Sequence, residues 1–138
     1  MAIFNTFKKK VMSAVNLSSD NIKMALLQSG YTPDIDAHHN FSDVSNEVSG
    51  SGYTAGGQLL TGKTFLTDDT NDKGRFDCSD VVWSSSVISS ARYALLYKSG
   101  ATAGSSPLIS YQDFGSDKST NNTEFKVEVD ASGLIVTS

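Results

Sequence analysis

The stretch "EFKVEVDA" at residues 124–131 decides the fold class, because apolar and charged side chains alternate along it. Phe125, Val127 and Val129 fall on one face of an extended chain, and the residues between them are charged. Strict alternation of this kind is typical of a β-strand that buries one face and exposes the other. We therefore expect a sheet with a core on one side in this part of the chain.

A second stretch, "ARYALLYK" at residues 91–98, carries apolar side chains on both faces, so both faces are expected to be covered. The remaining apolar patterns extend this picture. Strands are predicted at residues 22–28, 58–66, 75–83, 91–98, 107–114, 123–130 and 133–137. Turn-rich segments separate the strands from residue 58 onward and no helical pattern intervenes. This organisation favours a mainly β protein, an antiparallel β-sandwich or barrel with a short N-terminal helix or arm.

The chain has 138 residues, which suits one domain. In residues 1–15 apolar side chains recur every three or four positions, which predicts an amphipathic helix or arm. Residues 16–138 are predicted to form a single β-domain. Within it, a proline and five glycines predict a long irregular loop at residues 29–57. Loops of that length are usually functional or lie at interfaces.

The net charge of −4 and an isoelectric point near 4.9 argue against a nucleic-acid partner. The run Lys8-Lys9-Lys10 is a local exception, either the solvated face of a helix or part of an arm that docks on an acidic partner. No segment approaches the roughly 18 apolar residues of a membrane span, and no secretory signal is recognised. We expect a protein made in a cytosol, with no membrane partner. The single Cys78 excludes an intrachain disulfide and is expected to be a small buried residue.

Residues 57–64, "GQLLTGKT", match the phosphate-binding loop pattern G-x-x-x-x-G-K-T. Such a loop binds phosphate only between a buried strand, which positions the turn, and a helix, whose N-terminus faces the anion. Here no apolar run precedes Gly57, and a strand end with a turn follows Lys63. The match is therefore interpreted as accidental, and no nucleotide cofactor is expected.

A calcium-loop pattern is matched in part at its first, third, sixth and twelfth positions by Asp69, Asn71, Gly74 and Asp80. Lys73 occupies the fifth position with the wrong charge, and strand-like sequence flanks the segment. A hairpin turn is the favoured interpretation. The alternative is a weak calcium site formed by Asp68, Asp69 and Asp72.

His38 and His39 lie close in sequence to Asp34, Asp36 and Asp43, which raises the possibility of a metal site. Adjacent histidines on an extended loop project in opposite directions and chelate one ion poorly, so a solvated loop or interface is favoured. The chain also lacks a nucleophile elbow and a paired acid and base. We expect no catalytic residues, no cofactor and no metal, and hence no enzyme.

Several segments in order carry a resemblance to a known group of proteins: "MAIFNTFKKKVM", "DVSNEV", "GYTAGG", "VVW" followed by "ARYALLY", and "DFG". The chain resembles the small virion structural proteins of tailed bacteriophages over nearly its whole length. The resemblance implies a capsid decoration (cement) protein that binds the outer shell and stabilises it. The alternative is a tail, head-fibre or tail-fibre component with possible contact to the host surface.

The resemblance also implies partners and a location. The expected partners are the major capsid protein or other virion proteins and further copies of the chain in a homotrimer, within a virion assembled in the bacterial cytoplasm. The N-terminal helix and the long loop are expected to supply the interface, because aromatic side chains are frequent anchors of protein contacts. The predicted interface residues are Phe4, Phe7, Lys8, Tyr31, Phe41 and Tyr53.

Overall fold

The structure, a computed structural model, describes residues 1–11, 14–130 and 133–137. Eight strands and one α-helix are assigned within these ranges. The strands are β1 (Ala2–Ile3), β2 (Ile22–Gln28), β3 (Gln58–Leu59), β4 (Thr64–Asp68), β5 (Lys73–Asp77), β6 (Val81–Lys98), β7 (Leu108–Val127) and β8 (Ile135–Thr137), and the helix is α1 (Asn5–Lys10). Two single 3-10 turns occur at Phe41–Asp43 and Ala103–Ser105.

The strands form two sheets. One has five strands in the order β1-β7-β6-β2-β3, and the other has three in the order β4-β5-β8. Every named strand pair is antiparallel. The predicted mainly β, antiparallel class with a short N-terminal helix is therefore confirmed. The barrel alternative is wrong for the described residues, because the two sheets do not close on themselves; a sandwich remains compatible with their packing.

The five-stranded sheet is covered on both faces, as the pattern at residues 91–98 predicted. On one face, Met24, Leu26 and Leu96 join a core that also contains Phe76 and Ile135 from the three-stranded sheet. Burial raises the pKa of the Cys78 thiol in this core to about 11, so the thiol stays protonated and packs as the small buried residue expected.

A second, smaller core covers the opposite face of the same sheet. Leu27, Leu95 and Tyr97 belong to it, together with Tyr31 from the segment that follows β2. Residues 29–57 contain one 3-10 turn and otherwise little regular structure, and Tyr31, Phe41 and Val44 of this segment cover the face together with Phe4. The long loop is therefore part of the folded body.

Two predicted strands are divided. The strand expected at 58–66 is interrupted after β3, where Gly62 takes a φ of +61° and the amide of Leu60 donates to the carbonyl of Ile22. The strand expected at 75–83 is interrupted at residues 78–80, because the chain leaves the three-stranded sheet after β5 and enters the five-stranded sheet at β6. Local pattern does not reveal a change of sheet.

Other predicted strands are merged. Residues 91–98 form only the end of β6, and the strands expected at 107–114 and 123–130 belong to a single β7 that ends at Val127. The predicted turn at residues 115–122 is strand, because its polar side chains bond across to β6. Thr120 Oγ1 accepts from the amide of Ile88 at 3.2 Å.

The N-terminal segment is shorter as a helix than predicted and is packed onto the sheet. Helix α1 covers six residues, while the expected 1–15 element also included Met12 and Ser13, which lie outside the described residues. Strand β1 pairs with β7, and the amide of Phe4 donates to the carbonyl of Ile109 at 3.1 Å. The segment does not project as a free arm.

Candidate contact surface

The phosphate-loop string has structural roles in this fold. Gly57 lies against β2, where an added Cβ would come within 1.8 Å of the Met24 carbonyl oxygen. Lys63 Nζ donates to the carbonyl oxygens of Leu17 (2.9 Å) and Asp20 (2.8 Å). Strand β4, and not a helix, begins at the next residue. The lysine that would hold a phosphate is thus bound within the chain.

The calcium-like segment is a hairpin turn between β4 and β5, as favoured. Asp68 Oδ2 is paired with Arg75 Nη2 at 2.7 Å and accepts from the Asn71 side chain at 2.8 Å. Asp69 and Asp72 are exposed, and their carboxylates make no ion pair or hydrogen bond with a described residue. Over residues 1–11, 14–130 and 133–137, no three metal-binding side chains gather at one point.

The histidine pair is likewise engaged in local structure. Tyr31 Oη and His38 Nδ1 form a hydrogen bond of 2.9 Å, and their rings stack at 5.4 Å. Burial raises the pKa of the Tyr31 hydroxyl to about 12. The carboxylate of Asp43 accepts from the amides of His39 and Asn40, which lowers its pKa below the ordinary value. These groups close a turn and do not converge on a metal.

The structure places the six predicted interface residues in different environments. Phe4, Phe7 and Tyr31 are 0%, 4% and 2% exposed, so they anchor this chain's own cores and are not available at the surface of this conformation. Phe41 is half-buried and stacks on Tyr97 with ring centroids 4.3 Å apart. Lys8 is exposed.

Tyr53, the last of the six predicted interface residues, has an internal role. Its hydroxyl accepts from the backbone amide of Leu26 at 3.0 Å and donates to Glu47 Oε1 at 2.7 Å. Burial raises the pKa of this hydroxyl well above its ordinary value near 10, so it remains a donor. Tyr53 therefore satisfies a β2 amide that lies beyond the short β2–β3 pairing.

The substitution Tyr53→Phe is expected to lower the free energy of unfolding by about 1–3 kcal/mol, because the Leu26 amide and the Glu47 carboxylate each lose a partner. The midpoint of urea unfolding, followed by fluorescence, measures the change. Tyr93→Phe is the matched control, since the Tyr93 hydroxyl bonds to no described residue, and its effect should stay within about 0.5 kcal/mol. Equal effects of the two substitutions would contradict this role.

An apolar groove runs between α1 and the three-stranded sheet and encloses about 550 Å³. Its helix side carries Lys8 and Val11, and its sheet side carries Phe65, Leu66 and Thr67. Val11, Phe65 and Leu66 are 50%, 48% and 55% exposed. We call this space the α1 groove. A cluster of exposed apolar side chains around a concave space is the usual sign of a contact site.

On the other side of the same helix, Lys9, Lys10 and Lys98 line a second depression of about 640 Å³, the lysine pocket. Lys98 is paired with Asp20 at 3.1 Å, whereas Lys9 and Lys10 form no ion pair within the described part of the chain. On a protein with a net charge of −4, this is a local concentration of positive charge.

The two exposed carboxylates of the β4–β5 hairpin, Asp69 and Asp72, form what we call the acidic turn. Thr67 and Gly74, which line the α1 groove, lie immediately before and after this hairpin end. Lys8, the α1 groove and the strands that lead into this hairpin therefore lie next to one another, and Arg75, paired with Asp68, also lines the groove. We call this face the α1 surface.

Sequence reasoning found only part of this surface. Lys8 was identified, but Phe65 and Leu66 were assigned to a strand without any indication that both would be exposed. The available signal was the pair itself, because two large apolar neighbours on a strand point to opposite faces and a sheet with one core face must expose one of them. This signal does not account for the exposure of the second.

No family model matches the chain, and no curated protein or solved structure matches it. Its own architecture defines its class: a mainly β protein of two antiparallel sheets with one short N-terminal helix. None of the described helices has the length and apolar character that crossing a bilayer requires.

Proposed function

We propose that the protein is a virion structural component of a tailed bacteriophage that acts by contact and not by catalysis. The observation that carries the proposal is the α1 surface, where Val11, Phe65 and Leu66 are about half exposed beside the exposed Lys8. Exposed apolar side chains rimmed by charge are typical of protein contact sites. The resemblance of the sequence segments to virion proteins of tailed bacteriophages is the reason for proposing a phage particle as its location.

Within a virion, the proposed position is the outer shell, where the protein acts as a decoration protein on the major capsid protein. A protein that binds the mature shell and no other form of it stabilises that form by mass action. The internal bonding of Lys63, His38 and Asp68 supports this role over the phosphate and metal chemistries, because these three side chains are already bound within the chain.

Copy number tests the proposal and separates the two virion positions. Quantitative mass spectrometry of purified particles is expected to find hundreds of copies per particle, as an outer-shell protein requires. A handful of copies would favour the tail or fibre position. Absence from purified particles would overturn both.

A further inference from the structure

We propose that the partner attaches by adding an extended strand to the open edge of β4, so that the three-stranded sheet continues into the partner. The occupant is an extended segment of the shell protein that carries apolar side chains on both of its faces and a carboxylate near Lys8. This occupant rests on the proposed shell contact, because Phe65, Leu66 and Thr67 of β4 form part of the sheet side of the α1 groove.

The edge of β4 has backbone groups available for another strand. Strand β4 is the outermost strand of the three-stranded sheet, and β5 is its only pairing partner among the described residues. In an antiparallel pair, the amides and carbonyls of alternate residues point away from the partner strand. From Thr64 to Thr67, no backbone group bonds to a described residue outside this pair. The outward groups therefore offer the donors and acceptors that strand addition uses.

The sequence of β4 lacks the usual protection of an edge strand. Natural edge strands are short, charged, interrupted by proline or distorted by bulges, and these features prevent pairing with other chains. Residues 64–67, TFLT, contain neither a charge nor a proline, and β4 pairs with β5 in an unbroken register. Asp68, at the end of the strand, is paired with Arg75. The other sheet edges, β1, β3 and β8, have only two or three residues each, so β4 is the described edge best suited to receive a strand.

The exposed side chains of β4 favour a strand over a body that docks on one face. Phe65 lies opposite Phe76, with ring centroids 5.3 Å apart, and Phe76 belongs to the larger core. Leu66 lies opposite Arg75, on the other face of the sheet. Both Phe65 and Leu66 are about half exposed, so each lacks a neighbour on its own face. A strand beside β4 supplies a neighbour to both, because its side chains alternate between the two faces, whereas docking on one face covers only one of them.

The charges beside β4 indicate the chemistry of the segment. The charged residues that line the α1 groove are Lys8 and Arg75, and no described carboxylate lines it. Arg75 is already paired with Asp68, whereas Lys8 Nζ contacts only the side-chain oxygen of Asn5 among the described residues, at 3.1 Å. A carboxylate on the added segment therefore finds its partner in Lys8. Such complementarity selects the partner and its register more than it adds affinity.

Hydrogen exchange tests the strand addition with the full chain and purified particles assembled without it. In the free protein, the outward amides of β4 are expected to exchange rapidly with solvent. In the attached protein, amides of alternate β4 residues should become protected, because each then donates to the added strand. Mass spectrometry with fragmentation to single residues measures the exchange. This measurement needs no substitution, so the misfolding of a variant cannot hide the result.

Substitutions on the two edges of the sheet provide a second test, with the dissociation constant for particles as the measurement. Leu66→Lys should raise this constant roughly tenfold or more, because a charge on an edge strand opposes pairing. Val136→Lys is the matched control: Val136 is exposed on β8, the opposite edge, and lies across from Arg75 on the face that carries Leu66. Strand addition at β4 does not reach Val136, so the control should change the constant less than about twofold.

Charge reversal tests the predicted carboxylate. Lys8→Glu should raise the dissociation constant roughly fivefold, because a carboxylate then faces a carboxylate. Lys118→Glu is its control, since Lys118 is exposed on β7 and forms no ion pair with a described residue. Lys118→Glu should leave the constant within about twofold, and no effect of Lys8→Glu would overturn the carboxylate of the segment.

The outcomes separate the strand addition from the shell position. Attached protein whose β4 amides exchange as rapidly as in the free protein would overturn the strand addition and leave the shell contact standing. Equal effects of Leu66→Lys and Val136→Lys would overturn it in favour of docking on one face. Protection of the β4 amides already in the free protein, as pairing with a second copy would produce, would also overturn it. A protein that does not attach to particles at all would overturn both the shell position and the strand addition.

Discussion

Phe4→Ala is expected to lower the free energy of unfolding by about 3–5 kcal/mol, although Phe4 is only the fourth residue of the chain. Phe4 is 0% exposed, belongs to the smaller core and meets the Tyr111 ring at 5.8 Å. Truncation to alanine removes the whole buried phenyl ring and leaves a cavity in a site that β1 and β7 hold in place. Urea unfolding followed by fluorescence measures the loss.

The comparison with Val11→Ala separates the two roles proposed for this segment. Val11 is 50% exposed, so its truncation should change the free energy of unfolding by no more than about 0.5 kcal/mol. An anchor reserved for a partner would behave like Val11 in the isolated protein. If Phe4→Ala cost less than about 1 kcal/mol, the N-terminal segment would be a detachable arm after all.

These two residues show how far the sequence could predict the N-terminal segment. The spacing of apolar residues indicates that one side of the segment is buried, because a helix repeats every 3.6 residues. It does not indicate what the buried side packs on, since that depends on residues far along the chain. Here β7, more than 100 positions away, is the partner, and Ala2 pairs with Tyr111.

The strands illustrate the same limit. Alternation predicted the buried Phe125 and Val127 correctly, because a strand with one covered face repeats every two residues regardless of its neighbours. Residues 115–122 resembled a turn because serine, threonine and asparagine bond readily to backbone groups in either state. Pairing with β6 decides between the two states, and pairing is a long-range property.

The contact surface was the least predictable feature. Lys8 lies on α1 and Leu66 on β4, and only the packing of α1 beside the three-stranded sheet brings them to one groove. Composition reports the net charge of −4 but not the local reversal of charge around α1. Sequence reasoning therefore indicated a contact protein without indicating its surface.

Gly57→Ala is expected to be the most damaging single substitution of those considered, with a loss of roughly 4 kcal/mol or more in the free energy of unfolding. Gly57 has a φ of +79°, and a Cβ there would lie 1.8 Å from the Met24 carbonyl oxygen and 2.7 Å from the Ala25 Cα. The neighbouring atoms are backbone of β2, which lies between β6 and β3, so relief requires moving a strand that is buried on both faces. Thermal unfolding and the fraction of soluble protein after expression measure the effect.

Gly115→Ala is the matched control, because Gly115 has nearly the same φ as Gly57. Gly115 has a φ of +80°, but a Cβ there meets nothing within 4 Å. Gly115→Ala should therefore lower the free energy of unfolding only by the cost of placing a residue with a side chain in the left-handed conformation, about 1–2 kcal/mol. The difference between the two substitutions isolates the contact with β2 from backbone strain. If Gly57 belonged to a phosphate-binding loop, Gly57→Ala would instead weaken anion binding and leave the free energy of unfolding nearly unchanged. Similar unfolding energies for the two variants would therefore contradict the close approach of Gly57 to β2.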